Sequence, residues 1–481
     1  MSGIMTINSD LNPAGTMVKE TIAEVLKANE AQNELNRGMS LDFFEGRGNK
    51  AEYLENYGFK DRPVKIPKPF INLMEQIIKK TSLVYKRPPG RKIIAGREED
   101  NSFSDLMSEN KALRNGYKTA ERYKNAMSNI LYRPMWYNNC WNSWYEFDFI
   151  PYFKEGDPLR PFAYSIPVKR DTTITDKNRI EDKEWFMFWS DEFYYWHDND
   201  GNRKPDPSGQ YDDMKNPFGR LPFVELRKKE AVSEYWPDPP MDIVLANQAI
   251  NVTWCDLIYS QHNQAFSQPY IIGARKDDVK EMEVGADKYA LFSESDMLPG
   301  VLDFNPKIIE LLDSISRQIE FISGNYDLKV QWSQKGNPAS GFALLVENIG
   351  LMETRQDDVE WAEMQEDEIY DVIQAQDEQF KGTRGYKSIG LPKREKNTKL
   401  IVDFQEIEFP VNESEQREKW DWEIKNNAAS IIDYIMLKEG LNRKDAEQRH
   451  EETKEINTEL SPRDRALDDE LKKLTEPNGA E

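Results

Sequence analysis

The sequence predicts an α+β fold in which long helices and an aromatic β block occupy different regions of the chain. Two observations carry this. Residues 306–380 read as a helix, a break at Ser323-Gly324-Asn325, a polar loop through Pro338, and then the longest helical pattern in the sequence. The stretch 136–196 instead crowds Trp136, Trp141, Trp144, Phe147 and Phe149 with the runs Trp185–Trp189 and Phe193–His197, a β-rich texture. With 481 residues, 38 % hydrophobic and 11 % aromatic, the chain can bury a core and is not expected to be disordered throughout.

In chain order, residues 1–35 read as a polar helical arm with a weak apolar face of Met17, Ile22, Val25 and Leu26. Pro63, Pro67 and Pro69 mark a connector. Residues 70–85 read as a helix through Ile71, Met74, Ile77, Ile78 and Val84, stopped by Arg87-Pro88-Pro89-Gly90. A second helix is expected over 101–130. Within the β block, Asp198-Asn199-Asp200-Gly201 reads as a hairpin turn rather than a calcium loop, because its glycine comes too early and no Glu closes twelve residues. A turn and strand follow at 216–225, then the stiff Trp236-Pro237-Asp238-Pro239-Pro240.

Residues 241–266 give a helix with Asp242 as a plausible N-cap. Short strands at 269–273 and 289–292 form a mixed insert, and the helix that follows carries Ile308, Leu311, Leu312, Ile315, Ile319 and Ile322. The long helix keeps a stripe of Leu345, Ile349, Met352, Val359, Ala362, Ile369, Ile373 and Phe380. Between 350 and 380 it holds eleven acids against Arg355, a net of −10, expected on a solvated or intersubunit face. A strand at 399–404, a helix at 413–437 with Trp420 and Ile431 on one face, and a helix capped by Asn442 complete the pattern, and a charged tail closes it.

Net charge is −22, which excludes a general basic nucleic-acid binder. No run of eighteen apolar residues predicts a membrane helix, and the opening Met1-Ser2-Gly3-Ile4-Met5 gives no signal-peptide pattern. Cys140 and Cys255 read as free thiols of a reducing compartment. Walker, Gly-x-Ser-x-Gly and zinc spacings are missing, His197, His262 and His450 fall in unrelated elements, and no cofactor is expected. Asp357 and Asp358 on the acidic helix are the one place for a metal-dependent nuclease. The loop 325–338 is the other chemical candidate. Lys329, Gln331, Trp332, Gln334, Lys335 and Asn337, with Asp327 its only acid, make it slightly basic, hydrogen-bonding and partly aromatic. Such groups meet phosphate and bases without reading sequence.

The ordered set resembles the portal proteins of tailed bacteriophages. Phe43-Phe44-Glu45-Gly46 with Tyr53-Leu54, Asn72 through Pro89, Asn216-Pro217-Phe218-Gly219-Arg220-Leu221-Pro222, Ala246-Asn247-Gln248-Ala249-Ile250-Asn251, and Ala339-Ser340-Gly341-Phe342-Ala343-Leu344-Leu345 before a very long helix are similar to that family's succession. The likeness spans about residues 40–460, although the β block is heavier in Trp than the family's.

The resemblance implies a portal-like α+β fold: an N-terminal arm 1–35, a β-rich wing 36–240, stem helices 241–266 and 306–322 around a small α/β clip 267–305, a tunnel loop 323–338, a spine helix 339–381, a wing return strand within 382–412, a helical crown 413–460 and a charged tail 461–481. It implies a non-enzymatic ring of about twelve copies at a capsid vertex, made in the host cytoplasm. Its partners would be double-stranded DNA in the channel, the terminase motor, the major capsid protein and a neck adaptor, with no membrane. Lys329, Gln331, Trp332, Gln334, Lys335 and Asn337 would line the channel. A nuclease, or a head adaptor without DNA contact, are the alternative readings.

Overall fold

A computed structural model describes residues 6–7, 34–47, 70–95, 98–154, 156–168, 185–206, 213–230, 232, 235–264, 268–272, 290–292, 299–302, 308–329, 349–394, 398–405, 420–426, 430–439 and 443–459. The fold is α+β, with largely antiparallel sheets. The chain divides into two units, Met1–Gln334 with Asn348–Ile407, and Lys335–Glu347 with Glu408–Glu481.

The first unit opens with β1 (Thr6–Ile7) and α1 (Glu34–Phe44). At residues 6–7 the expected helical arm over 1–35 is instead a strand, because Thr6 and Ile7 pair in parallel with Phe153 and Lys154 on a sheet edge, while its last residues, Glu34 and Leu35, begin α1. Next, α2 (Leu73–Thr81) is capped by Asn72, whose Oδ1 accepts the Glu75 N–H at 3.0 Å. After the proline turn come β2 (Gly90–Ala95) and β3 (Glu98–Asp100).

The single helix expected over 101–130 is two helices, α3 (Ser102–Glu109) and α4 (Lys111–Met127). The Asn110 amide donates back to the Leu106 carbonyl at 2.9 Å, competing with the helical ladder. Ser128, at φ 63°, ends α4 at Met127, three residues earlier than expected. Gly116 lets α4 lie on the sheet, since a Cβ there would overlap Ser143 Oγ.

The β block holds β4 (Asn129–Tyr137), β5 (Cys140–Glu146), β6 (Ile150–Lys154), β7 (Asp157–Pro167), β8 (Trp185–Ser190), β9 (Tyr194–Asp198), β10 (Arg203–Lys204) and β11 (Val224–Arg227). They form a six-stranded sheet, β1-β6-β7-β8-β9-β10, and a three-stranded sheet, β11-β4-β5. The turn at 198–201 is as expected: Gly201 has φ 75°, and the Asp198 carboxylate accepts the N–H groups of Asp200 and Asn202 at 3.0 and 2.8 Å.

The helix α5 (Met241–Gln264) leads to β12 (Gln268–Ile272), β13 (Ala290–Phe292) and β14 (Pro299–Leu302), a three-stranded sheet with β12 central. It holds one strand more than the sequence reading gave. Then come α6 (Ile308–Gly324), α7 (Ile349–Phe380) and β15 (Thr398–Asp403), which pairs antiparallel with β2 across 300 residues of sequence. The main core joins α1–α7 to the β11-β4-β5 sheet through Phe43, Met74, Phe103, Tyr117, Ile130, Ile243, Ile315 and Ile373, all buried.

In the second unit, the helix expected over 413–437 is interrupted. Residues 420–425 are helical and α8 (Ile431–Glu439) begins anew, followed by α9 (Arg443–Glu459). Ser430 explains the restart: its Oγ accepts the Asp433 N–H while the Asp433 carboxylate accepts the Ser430 N–H at 2.8 Å, a reciprocal cap. Asn442, expected as the next cap, lies outside the described residues.

Candidate functional site

The end of α6 is where the candidate loop leaves the body of the protein. Its base is built from α5. Asn247 and Asn251, one helical turn apart, are fully buried. Asn247 Oδ1 accepts the N–H groups of Leu73 and Met74, both at 3.0 Å, and its amide donates to the Ile71 carbonyl at 2.7 Å. Asn251 Oδ1 accepts the Ile71 N–H at 2.7 Å. These bonds satisfy orphan donors at the start of α2 and stitch α5 to the main core. Beside α5 lies α6, with Ile315 and Ile322 facing the same core.

Asp242 is not a cap. It is the second helical residue, and its carboxylate oxygens accept the Tyr326 hydroxyl, both at 2.9 Å. Burial raises the Tyr326 phenol above its ordinary value, so it stays a donor. This bond ties the start of α5 to the turn after α6. Asp327 follows at φ 55° and packs on Gly350 in α7: a Cβ on Gly350 would come within 2.7 Å of Asp327 Cγ. The turn after α6 and the start of α7 therefore lie against each other. Of the loop residues singled out from sequence, Lys329 is exposed just after this turn; Gln331, Trp332, Gln334, Lys335 and Asn337 lie outside the described residues.

Large apolar side chains remain exposed on these same helices. Ile309 is 80 % and Phe321 74 % exposed on α6, and Leu245 is exposed on α5. Glu310, Asp313, Ser314, Arg317, Gln318 and Phe321 line a shallow groove of about 400 Å³ along α6.

The acidic helix α7 is not simply a solvated face. Glu366 is fully buried and holds Arg91 through two hydrogen bonds, 2.9 Å to Nε and 2.5 Å to Nη2. Burial disfavours the Arg91 charge, but Glu366 beside it more than offsets this and raises the guanidinium above its ordinary value. Asp377, also buried, accepts the N–H groups of Ile389, Gly390 and Leu391 and the hydroxyls of Tyr386 and Ser388. Gln376 pairs with Trp136 N–H at 3.2 Å and the Pro134 carbonyl at 2.6 Å, continuing the bonding of β4 past β11. Arg220 and Arg394 bind Asp371, and Arg394 also binds Asp367 at 2.7 Å. The outward acids Glu353, Asp357, Glu360 and Glu363 of the helix's first half are exposed, as are Glu368 and Glu378 in its second half.

For nuclease chemistry, Asp357 and Asp358 would have to converge on a metal. Asp357 is exposed and Asp358 is buried, and no group of three His, Cys, Asp or Glu side chains with metal-binding placement occurs among the described residues. One contact that the sequence reading missed resembles a catalytic pair: Ser165 Oγ lies 2.7 Å from His197 Nε2. Both residues are wholly buried, the Tyr152 hydroxyl completes the chain at 2.9 Å, and His197 Nδ1 meets the Asp198 carbonyl at 3.0 Å. This is a cross-strand hydrogen-bond chain, without access for a substrate. Its signal was hidden because the partners lie 32 residues apart on paired strands.

The chain matches no protein-family model and no curated protein. No described helix is long and apolar enough to cross a membrane.

Proposed function

We propose that this protein is the portal of a tailed bacteriophage. Copies would form a ring of about twelve at one capsid vertex, through which DNA is packaged and ejected. One observation carries the reading. Two helices, α5 and α6, pack together around a three-stranded insert, and Asp327, just after α6, lies against Gly350 at the start of α7. A helix pair with an insert at one end and a pinned loop at the other suits a subunit that extends along a channel. In this reading α5 and α6 are the stem, β12–β14 the clip that docks the packaging motor and later the neck adaptor, and α7 the spine. The loop with Lys329, Gln331, Trp332, Gln334, Lys335 and Asn337 faces DNA.

The physical chemistry fits a conduit. Each copy carries −22, so a ring repels phosphate from its wall, and a few loop lysines supply weak, reversible contact. The exposed apolar residues of α5 and α6 would be covered by neighbouring copies. The protein has no catalytic role in this reading.

Mass photometry of the purified full chain tests it. The expected species sits near an integer multiple of 56.2 kDa, about twelvefold, and leaves plasmid DNA intact with magnesium or manganese. A protein that stays at 56.2 kDa, or DNA cleavage abolished by Asp357→Ala with Asp358→Ala, would overturn it.

A further inference from the structure

Two helix faces in the first unit carry opposite charge and, among the described residues, no ion pair; on the basic one Lys111 and Arg114 are exposed and Lys118 and Arg122 half-buried. On α4, Lys111, Arg114, Lys118 and Arg122 recur at intervals of three and four, which places them on one side of the helix. The opposite side, with Leu113, Tyr117 and Ala120, is buried. On α7, Glu353, Asp357 and Glu360 recur at the same intervals, with Glu363 beside them, and this side stands opposite the buried Val359, Ala362 and Glu366. None of these eight side chains makes an ion pair among the described residues. The second half of the same helix behaves differently: there Asp367 and Asp371 are neutralised within the chain by Arg220 and Arg394.

The two stripes match in length as well as sign. Twelve residues of α4, from Lys111 to Arg122, and eleven of α7, from Glu353 to Glu363, each extend about 16 Å at the helical rise. A chain with net charge −22 repels its own copies at long range, so a stable contact between copies needs a local surface of the other sign. The α4 stripe supplies it. Because the complementary stripes are different surfaces of one chain, pairing them is head-to-tail, the type of contact that closes into a ring.

We propose that the acidic stripe of α7 on one copy docks against the basic stripe of α4 on the next, and that this pairing fixes the register of the assembly. The inference rests on the ring reading and gives it a specific seam. Met364, 60 % exposed, adds an apolar contact at the C-terminal end of the stripe.

The test uses the full chain and three variants: Arg114→Glu with Lys118→Glu, Asp357→Lys with Glu360→Lys, and all four together. Assembly is read by mass photometry, and folding by circular dichroism and melting temperature. Wild type should assemble at about 0.1 M salt and dissociate toward monomer at about 1 M, where the Debye length falls from about 10 to about 3 Å. Each paired reversal should abolish assembly with an unchanged melting temperature, and the fourfold variant, with both faces exchanged, should regain it. Paired reversals that assemble like wild type would overturn the seam and leave the ring reading standing. A folded fourfold variant that stays monomeric would also overturn the seam. A wild-type chain that is monomeric at both salt concentrations would overturn the ring itself.

Discussion

Single side chains do much of the joining in this protein. Asn247 answers two backbone donors and one acceptor at the start of α2. Replacing it by Ala leaves the Leu73 and Met74 N–H groups buried without a partner, a cost of about 2–4 kcal/mol; chemical denaturation should show that loss, with an unchanged slope. His197 makes a second prediction. Burial lowers its pKa from 6.5 to about 4, so the folded protein holds it neutral while the unfolded chain takes up a proton near pH 6.5. Its contribution is complete above pH 6.5 and is lost as pH falls toward 4, by about 3 kcal/mol in all. The stability of wild type measured across that window should fall relative to His197→Phe, and parallel curves would contradict the assignment. Neither role was legible in the sequence. An Asn pair one turn apart reads as ordinary helix surface, and the Ser165–His197 contact depends on strand register.

At the scale of elements, α7 shows what periodicity reveals and what it hides. Its apolar stripe reads directly over the later turns, where Val359, Ala362, Ile369, Ile373 and Phe380 are buried as their spacing requires, while Ile349 is exposed and Leu345 lies outside the described residues. The stripe also jumps by seven, from Met352 to Val359, from Ala362 to Ile369 and from Ile373 to Phe380. The positions skipped are Arg355, Glu366 and Gln376, which are all buried and hydrogen-bonded. A polar residue at a core position of a helix signals a partner elsewhere in the chain, but not which partner. Arg91 is 275 residues from Glu366. Removing one side of this buried pair, as in Glu366→Gln, should cost about 3–5 kcal/mol, while Arg91→Met with Glu366→Met should cost less than either change alone. Thermal melts of the three variants check this cycle. Elsewhere, local side-chain bonds overrode periodicity: Asn110 split one expected helix and Ser430 another.

For the whole molecule, the order of helix, insert, helix, loop and long helix was readable, because each element is long or strongly patterned. The contact between the turn after α6 and the start of α7 was not, since it depends on Asp327 meeting a glycine 23 positions on. In the proposed reading, the basic stripe of α4 and the acidic stripe of α7 would join one copy to the next. The most direct test of the account is electron cryomicroscopy of the purified full-length protein. It predicts a closed cyclic ring with a central channel wide enough for duplex DNA and with Lys329 of every copy facing the axis. A monomer, an open filament, or a ring that places Lys329 on its outer wall would contradict it.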